Sequence, residues 1–376
     1  MSGAGPAQAA DGPASIPTKA ASAPAASFEP VAGTTAAGDA DDAGEAAAGR
    51  ASPIDRIVAV GAGRMGRGIA LAFAYAGIAV DVIAFKPRPP ADAGRLADEA
   101  REELRASLQM LAELDAMPAD AVQRVLERIR IVGHDEAAQV LAGARLVFEG
   151  VTETLTAKRD AFARICRAAP ADAILASTTS TILVTDLVPM VSEPRRLINA
   201  HWLNRAYVIP LVELSSHPGT DPAVTQTLRA LLESIGKVPV LCGPAPGFIV
   251  PRLQALIMNE AARMVDEGVA TAEDIDRATR YGLGLRFAAI GVVEFIDFGG
   301  NDILYHASRY LSQALSPQRY ETPAIVERLM HEGRNGLRSG SGFYDYRDRD
   351  VAAYRKDVLA RTLAMLRHAG LQRPPR

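Results

Sequence analysis

The chain has 376 residues, 41 lysines and arginines against 44 aspartates and glutamates, and a formal net charge of −3. That balance leaves no basic excess to neutralise nucleic-acid phosphates, and the length suits about two domains. Hydrophobic residues make up 48%, enough for a buried core, and the two cysteines, Cys166 and Cys242, have neither metal nor redox spacing. A disulfide-stapled secreted fold is thereby disfavoured, and a reducing, cytoplasmic setting is expected.

Residues 1–52 are mostly Ala, Gly, Pro, Ser and Thr, with acids at Asp39, Asp41 and Asp42. So few large apolar side chains cannot offset the entropy of ordering, and a disordered low-complexity tail is expected. The segment has neither the apolar core of a secretory signal nor the arginines of a mitochondrial leader. The run Arg56-Ile57-Val58-Ala59-Val60 reads as a buried strand ending at Gly61, residues 66–76 as a helix, and 79–85 as a second strand. Gly77 and Asp81 interrupt the apolar stretch 68–85, which therefore reads as a helix and a strand rather than a membrane span. Residues 91–130 read as two helices broken near Met117-Pro118. Further strands are expected at 146–149, 173–177, 196–201, 210–214 and 238–242, mostly separated by helical runs. That alternation implies an α/β domain over 53–243 with a mostly parallel sheet. After Gly243-Pro244-Ala245-Pro246-Gly247 the strand signals stop, and 244–376 is expected to be all-α, with turns at Gly282, Gly299-Gly300 and 339–342.

Gly61-Ala62-Gly63-Arg64-Met65-Gly66 follows the first strand and opens a helix. Gly61 permits a tight turn, Gly63 lets a pyrophosphate approach the backbone, and Gly66 lets the helix pack closely. The helix N-terminus then faces the phosphate charge, the dinucleotide-binding fingerprint of a Rossmann-type domain. The acidic residue expected at the end of the second strand is missing: Ala84 stands there, followed by Phe85, Lys86, Pro87 and Arg88. Asp81 is too early in the strand to reach a ribose. Two cofactor readings stay open: NAD without that contact, or NADP with Lys86 and Arg88 on a 2′-phosphate.

Oxidising a secondary alcohol needs a base for the hydroxyl proton and a group that orients the base. His201 ends an apolar strand, and Glu213 lies twelve residues on in another apolar strand, where a carboxylate needs a partner. No His or Cys accompanies the pair Glu294 and Asp297, so a metal site is not expected.

The segments Ala176-Ser177-Thr178-Thr179-Ser180-Thr181, His201-Trp202-Leu203-Asn204, Pro210 to Glu213, Pro246-Gly247-Phe248-Ile249-Val250 and Gly342-Phe343-Tyr344-Asp345-Tyr346 occur in order between residues 56 and 346. In these the chain resembles the L-3-hydroxyacyl-CoA dehydrogenase family. The resemblance implies a helical C-terminal domain that dimerises, an acyl-CoA substrate held between the domains, and a role in fatty acid metabolism. It also implies His201 as general base with Glu213 as its partner, Ser180 on the substrate oxygen, and Asn204 polarising the reacting carbonyl. Arg64 and Met65 belong to the cofactor turn, and Glu153 and Lys158 match positions that line the nicotinamide.

Several positions depart from the family pattern. Pro251 replaces an asparagine that contacts substrate, and Arg205 replaces the proline after Asn204. The helical region 91–130 has no lysine, and Arg95, Arg101 and Arg105 are interleaved with Glu99, Glu102 and Glu103, suiting local ion pairs better than CoA phosphates. The stretch around Arg286 is similar to the family's gulonate and carnitine dehydrogenase branch, and Arg286 could meet a carboxylate. The expected activity is NAD(P)-dependent oxidation of a 3-hydroxyacyl substrate, with 3-hydroxybutyryl-CoA as the first choice. A small free hydroxy acid or carnitine, and a non-catalytic dinucleotide-binding scaffold, are the alternatives.

Overall fold

The computed structural model describes residues 54–373, so the expectation of a disordered tail over 1–52 lies outside the described residues. The chain divides into two compact units between Arg252 and Leu253.

The first unit is built on one eight-stranded sheet in the order β3-β2-β1-β4-β5-β6-β7-β8. The strands are β1 (Arg56–Val60), β2 (Ala79–Ile83), β3 (Ile129–Val132), β4 (Leu146–Glu149), β5 (Ile174–Ser177), β6 (Leu197–Trp202), β7 (Leu211–Ser216) and β8 (Val238–Cys242). All neighbours pair in parallel except β6 and β7, which run antiparallel. Helices cover both faces, which explains why β1 is apolar at four consecutive positions. Ile57 and Ala59 point into one core layer with Phe73, Phe148 and Trp202, while Val58 and Val60 point into the other with Phe162 and Ile165.

Two elements differ from the sequence expectation. The region 91–130 forms one long helix, α2 (Pro90–Glu113), a short helix Ala121–Leu126, and the start of the edge strand β3, whose residues 129–130 were expected to be helix. In β3 Ile129 and Ile131 turn inward while Arg130 is exposed and meets Asp81 of β2 at 2.7 Å. The strand has only four residues and follows a helical run, so its alternation is too short to override the preceding periodicity. Asp81 is also held by Arg56 at 3.2 Å.

The second unit, from Leu253 onward, is helical, with a core of Ile290, Leu337, Tyr346, Tyr354 and Val358. Asp297 is fully buried and accepts hydrogen bonds from the amides of Phe343 and Tyr344 at 3.0 and 2.8 Å, tying down the Gly342-Phe343-Tyr344 turn. Glu294 accepts from the Tyr354 hydroxyl at 2.8 Å. The expected turn at Gly282 is instead a π-helical segment, Thr279–Gly284. Among the described residues no helix is long and apolar enough to cross a membrane.

An aromatic cluster, Phe73 with Phe148 (5.5 Å) and Trp202 (6.1 Å), joins the helix Arg64–Tyr75 to the sheet at the strand that carries His201. Phe73→Ala is expected to destabilise the first unit by about 3–5 kcal/mol, and Phe73→Leu by clearly less, read as shifts of the urea unfolding midpoint. Equal midpoints for wild type and Phe73→Ala would disprove that role.

Candidate active site

The chain switches direction between β1 and β4: from β1 it moves outward to β2 and β3, then crosses back to β4 on the other side. Ligands of open α/β sheets bind at such a switch point, beyond the carboxyl ends of the strands. Here the glycine turn after β1 meets residues 150–152 after β4 around a cleft of about 460 Å³. Each glycine of the turn has its own steric reason. Gly61 has φ +109°, and a Cβ there would lie 2.6 Å from the Gly150 carbonyl oxygen. A Cβ on Gly66 would lie 2.0 Å from the Gly61 carbonyl oxygen, so this residue closes the turn on itself. A Cβ on Gly63 would meet nothing within 4 Å, leaving open space over the start of α1 (Arg64–Tyr75). The cleft therefore fits a dinucleotide: bare backbone at a helix N-terminus, with room for a pyrophosphate. Lys86 and Arg88 line the same cleft, and Arg64 and Met65 line a neighbouring pocket of about 210 Å³.

His201 and Glu213 face each other across the antiparallel β6–β7 pair. His201 Nδ1 lies 2.7 Å from Glu213 Oε2, and both side chains are buried. The other carboxylate oxygen accepts the amides of Ile249 and Val250 at 2.9 and 2.8 Å. Burial pushes the Glu213 carboxyl up, but the hydrogen bonds from His201, Val250 and Ile249 outweigh it and hold the group below its ordinary value. An ionised carboxylate only accepts, so Nδ1 must carry the hydrogen, leaving Nε2 of a neutral imidazole with its lone pair. The Phe248 ring stacks on the imidazole, 5.2 Å between centroids and 5° from parallel. Cys242, on the neighbouring strand, is pushed up to about 11 by burial and by Glu213, so it stays a thiol.

A second buried charge lies beneath the loops after β4 and β5. Lys158 is wholly buried; its ammonium sits 2.9 Å from Glu149 Oε2 and 3.5 Å from Glu153 Oε2. Its third neighbour is the Ser177 hydroxyl, at 3.4 Å. Glu153 Oε1 gathers the Ser180 and Thr181 amides at 2.9 and 3.2 Å and the Thr179 hydroxyl. Burial raises the Glu153 carboxyl, yet Thr179, Lys158 and these amides together hold it low. The loop bearing Ser180 is thereby fixed by Glu153, and Ser180 itself is exposed.

Asn204 lines the smaller pocket with Arg205 and Tyr207. Its Oδ1 accepts the Arg205 amide at 3.1 Å, and its Nδ2 has no partner among the described residues. Arg205 adopts φ +59°. Pro251 stands in the first turn of the helix Val250–Asp266, where a missing amide hydrogen costs nothing. Sequence reasoning did not find Glu149, Ser177, Phe248 or the Ile249 and Val250 amides. The Pro246-Gly247-Phe248-Ile249-Val250 motif was visible, but its backbone chemistry was not.

The family profile "3-hydroxyacyl-CoA dehydrogenase, NAD binding domain" matches residues 56–245, and "3-hydroxyacyl-CoA dehydrogenase, C-terminal domain" matches 247–346. The 5-formyl-3-hydroxy-2-methylpyridine 4-carboxylate 5-dehydrogenase of Mesorhizobium japonicum is 31% identical, covering 84% of this chain and 98% of its own. The 3-hydroxybutyryl-CoA dehydrogenase of Mycobacterium tuberculosis is 32% identical over 78% of this chain and 99% of its own. Among solved structures, the 3-hydroxyacyl-CoA dehydrogenase of Archaeoglobus fulgidus superposes with a TM-score of 0.66 at 29% identity, covering 84% of this chain and 99% of that one.

The depressed Glu213 carboxyl has a consequence for stability. Folded Glu213 gives up its proton more readily than the unfolded chain does, so its contribution is complete above the unfolded value of about 4.3. It is lost as pH falls through the lower folded value. Glu213→Gln is expected to flatten the acid limb of the stability–pH curve below about pH 4.5. An acid limb identical to wild type, followed by chemical denaturation across pH 3–6, would contradict the assignment.

Proposed function

Because the chain belongs to the 3-hydroxyacyl-CoA dehydrogenase family, we propose that it oxidises the 3-hydroxyl of a 3-hydroxyacyl compound, L-3-hydroxybutyryl-CoA first among them, with His201 as general base. NAD is its cofactor. The observation that carries this reading is the His201–Glu213 pair: a buried carboxylate holds Nδ1, and Nε2 is left to take a proton. Bound NAD supplies the hydride acceptor. As the carbinol C–H and O–H bonds break and the C=O bond forms, His201 Nε2 receives the hydroxyl proton. Ser180 Oγ and Asn204 Nδ2 donate to the developing carbonyl oxygen. Glu213 favours the imidazolium that results, and Phe248 keeps the ring from rotating. Glu153 positions Ser180 by holding its amide. The free cysteines are in keeping with a cytoplasmic protein.

A second substrate reading, a small hydroxy compound bearing a free carboxylate, is favoured by how the cations are spent. Arg95, Arg101 and Arg105 of α2 pair with Asp92 and Glu99, with Asp98, and with Glu102 of the same helix, leaving little for CoA phosphates. Arg205 has no carboxylate partner among the described residues, and Arg286 has only the Phe295 ring, 5.6 Å away. The relative from Mesorhizobium japonicum is named for a carboxylate substrate.

Reduced-nicotinamide absorbance, followed with L-3-hydroxybutyryl-CoA, free L-3-hydroxybutyrate, carnitine and gulonate, separates the readings. Turnover of the CoA ester supports the first, and turnover confined to an acid or carnitine supports the second. In either case His201→Ala should lower kcat by about 10²–10⁴-fold while NAD still binds. A fully active His201→Ala protein would refute the general-base role.

We further propose a homodimer. The helix Val250–Asp266 buries none of its residues, and Leu253, Leu256, Ile257 and Met258 are all exposed. Leu253, Leu256 and Ile257 form one stripe at helical spacing, of the kind that a second copy covers. Light scattering should give a dimer for wild type and a monomer for Leu256→Glu. A monomeric wild type would refute the proposal.

A further inference from the structure

The cleft at the end of β2 carries a charge pattern that hydride transfer does not require. An acid at the end of this strand would accept the adenosine ribose hydroxyls and repel a phosphate on the 2′ oxygen. Ala84 stands there instead, held in register by its amide to the Val132 carbonyl at 2.8 Å, while the Gly61 amide donates to the Ile83 carbonyl at 2.9 Å. The end of β2 is thus fixed beside the glycine turn. The one carboxylate of β2, Asp81, is 2% exposed and committed to Arg56 and Arg130. It cannot serve the ribose.

The cleft walls hold three cations, Arg67, Lys86 and Arg88, and no aspartate or glutamate. Arg67 is neutralised by Glu103 at 2.6 Å. Lys86 and Arg88 are exposed and meet no carboxylate among the described residues. Arg88 Nη1 donates to the Lys86 carbonyl at 3.2 Å, keeping the two residues together on one loop. Behind them the Arg164 guanidinium lies 3.7 Å over the Phe85 ring and donates to the Phe85 carbonyl at 2.9 Å, which sets where the loop leaves the strand.

We propose that this loop is a 2′-phosphate site, so that the cleft accepts NADP as well as NAD, with Lys86 and Arg88 contacting the phosphate and Arg164 positioning the loop. A guanidinium and an ammonium beside a phosphate dianion form charge-assisted hydrogen bonds, and no acid nearby opposes them. The inference rests on the dinucleotide reading of the glycine turn and is independent of which hydroxy compound is oxidised.

Adenosine 2′,5′-bisphosphate and 5′-AMP differ only in the 2′-phosphate, and calorimetric titration of the full chain with each reads the site without any substrate. The bisphosphate is expected to bind about tenfold or more tightly, with the advantage shrinking as salt rises. Lys86→Ala with Arg88→Ala should bring the two affinities to within about twofold, and both side chains are exposed, so folding is not at stake. Ala84→Asp should independently turn the preference toward 5′-AMP. Equal or weaker binding of the bisphosphate to wild type, or an advantage that survives the double substitution, would overturn the proposal. Either result stands whether or not a 3-hydroxyacyl substrate is turned over.

Discussion

A carboxylate deprived of water organises this fold. Glu213 lies within an apolar strand of a sheet covered on both faces, where an uncompensated charge would cost several kcal/mol. Its two oxygens take three donors from separate places: the imidazole across the antiparallel ladder and two consecutive amides at the start of the helix Val250–Asp266. Each donor constrains the chain that supplies it. The β6–β7 register must set residue 201 opposite residue 213. The chain leaving β8 must return through Gly247 at φ +78° and Phe248 at φ +47° to aim those amides. The same return lays Phe248 flat on the imidazole, so one electrostatic demand fixes both the tautomer and the plane of His201.

A second buried charge does comparable work at the sheet's centre, where β4 and β5 lie side by side. Lys158 would be intolerable without Glu149, and Ser177 Oγ donates to the same carboxylate at 2.6 Å. Glu149 and Ser177 end adjacent strands, so the ion pair joins the two loops that follow them. Glu153 extends that network to the loop carrying Ser180. The exposed polar groups at the carboxyl edge thus stand on buried, mutually neutralised ones. Such support is what holds a reacting constellation to tight tolerances.

How legible a residue was depended on whether its reason is local. The glycine turn could be read because most of its demands, the positive φ of Gly61 and the approach of Gly66 to the Gly61 carbonyl, act within a few residues. His201 and Glu213 stood out because each interrupts an apolar strand. Lys158 was named through the family resemblance alone, since its place on an amphipathic helix is also that of a solvated lysine. Only the fold brings Glu149, nine residues earlier, beneath it. The donors that hold Glu213 are backbone amides, which no side-chain pattern reveals. β3 was hidden by brevity, and the π-helical segment at Thr279–Gly284 by glycines that elsewhere mark turns.

The distribution of the remaining charge bears on recognition. Within the first unit the buried carboxylates are satisfied internally, and the arginines of α2 are satisfied by acids of their own helix. Such exposed pairs contribute little to stability, but they remove cations from the pool that could meet an anionic ligand. Lys86 and Arg88 at the dinucleotide cleft, and Arg64 and Arg205 at the pocket that contains Asn204, are cations that no carboxylate matches among the described residues. At the dinucleotide cleft that positive charge coincides with bare backbone and open space. Phosphate or carboxylate groups are drawn to such openings more strongly than to the face of α2, where each of Arg95, Arg101 and Arg105 already meets an acid of its own helix.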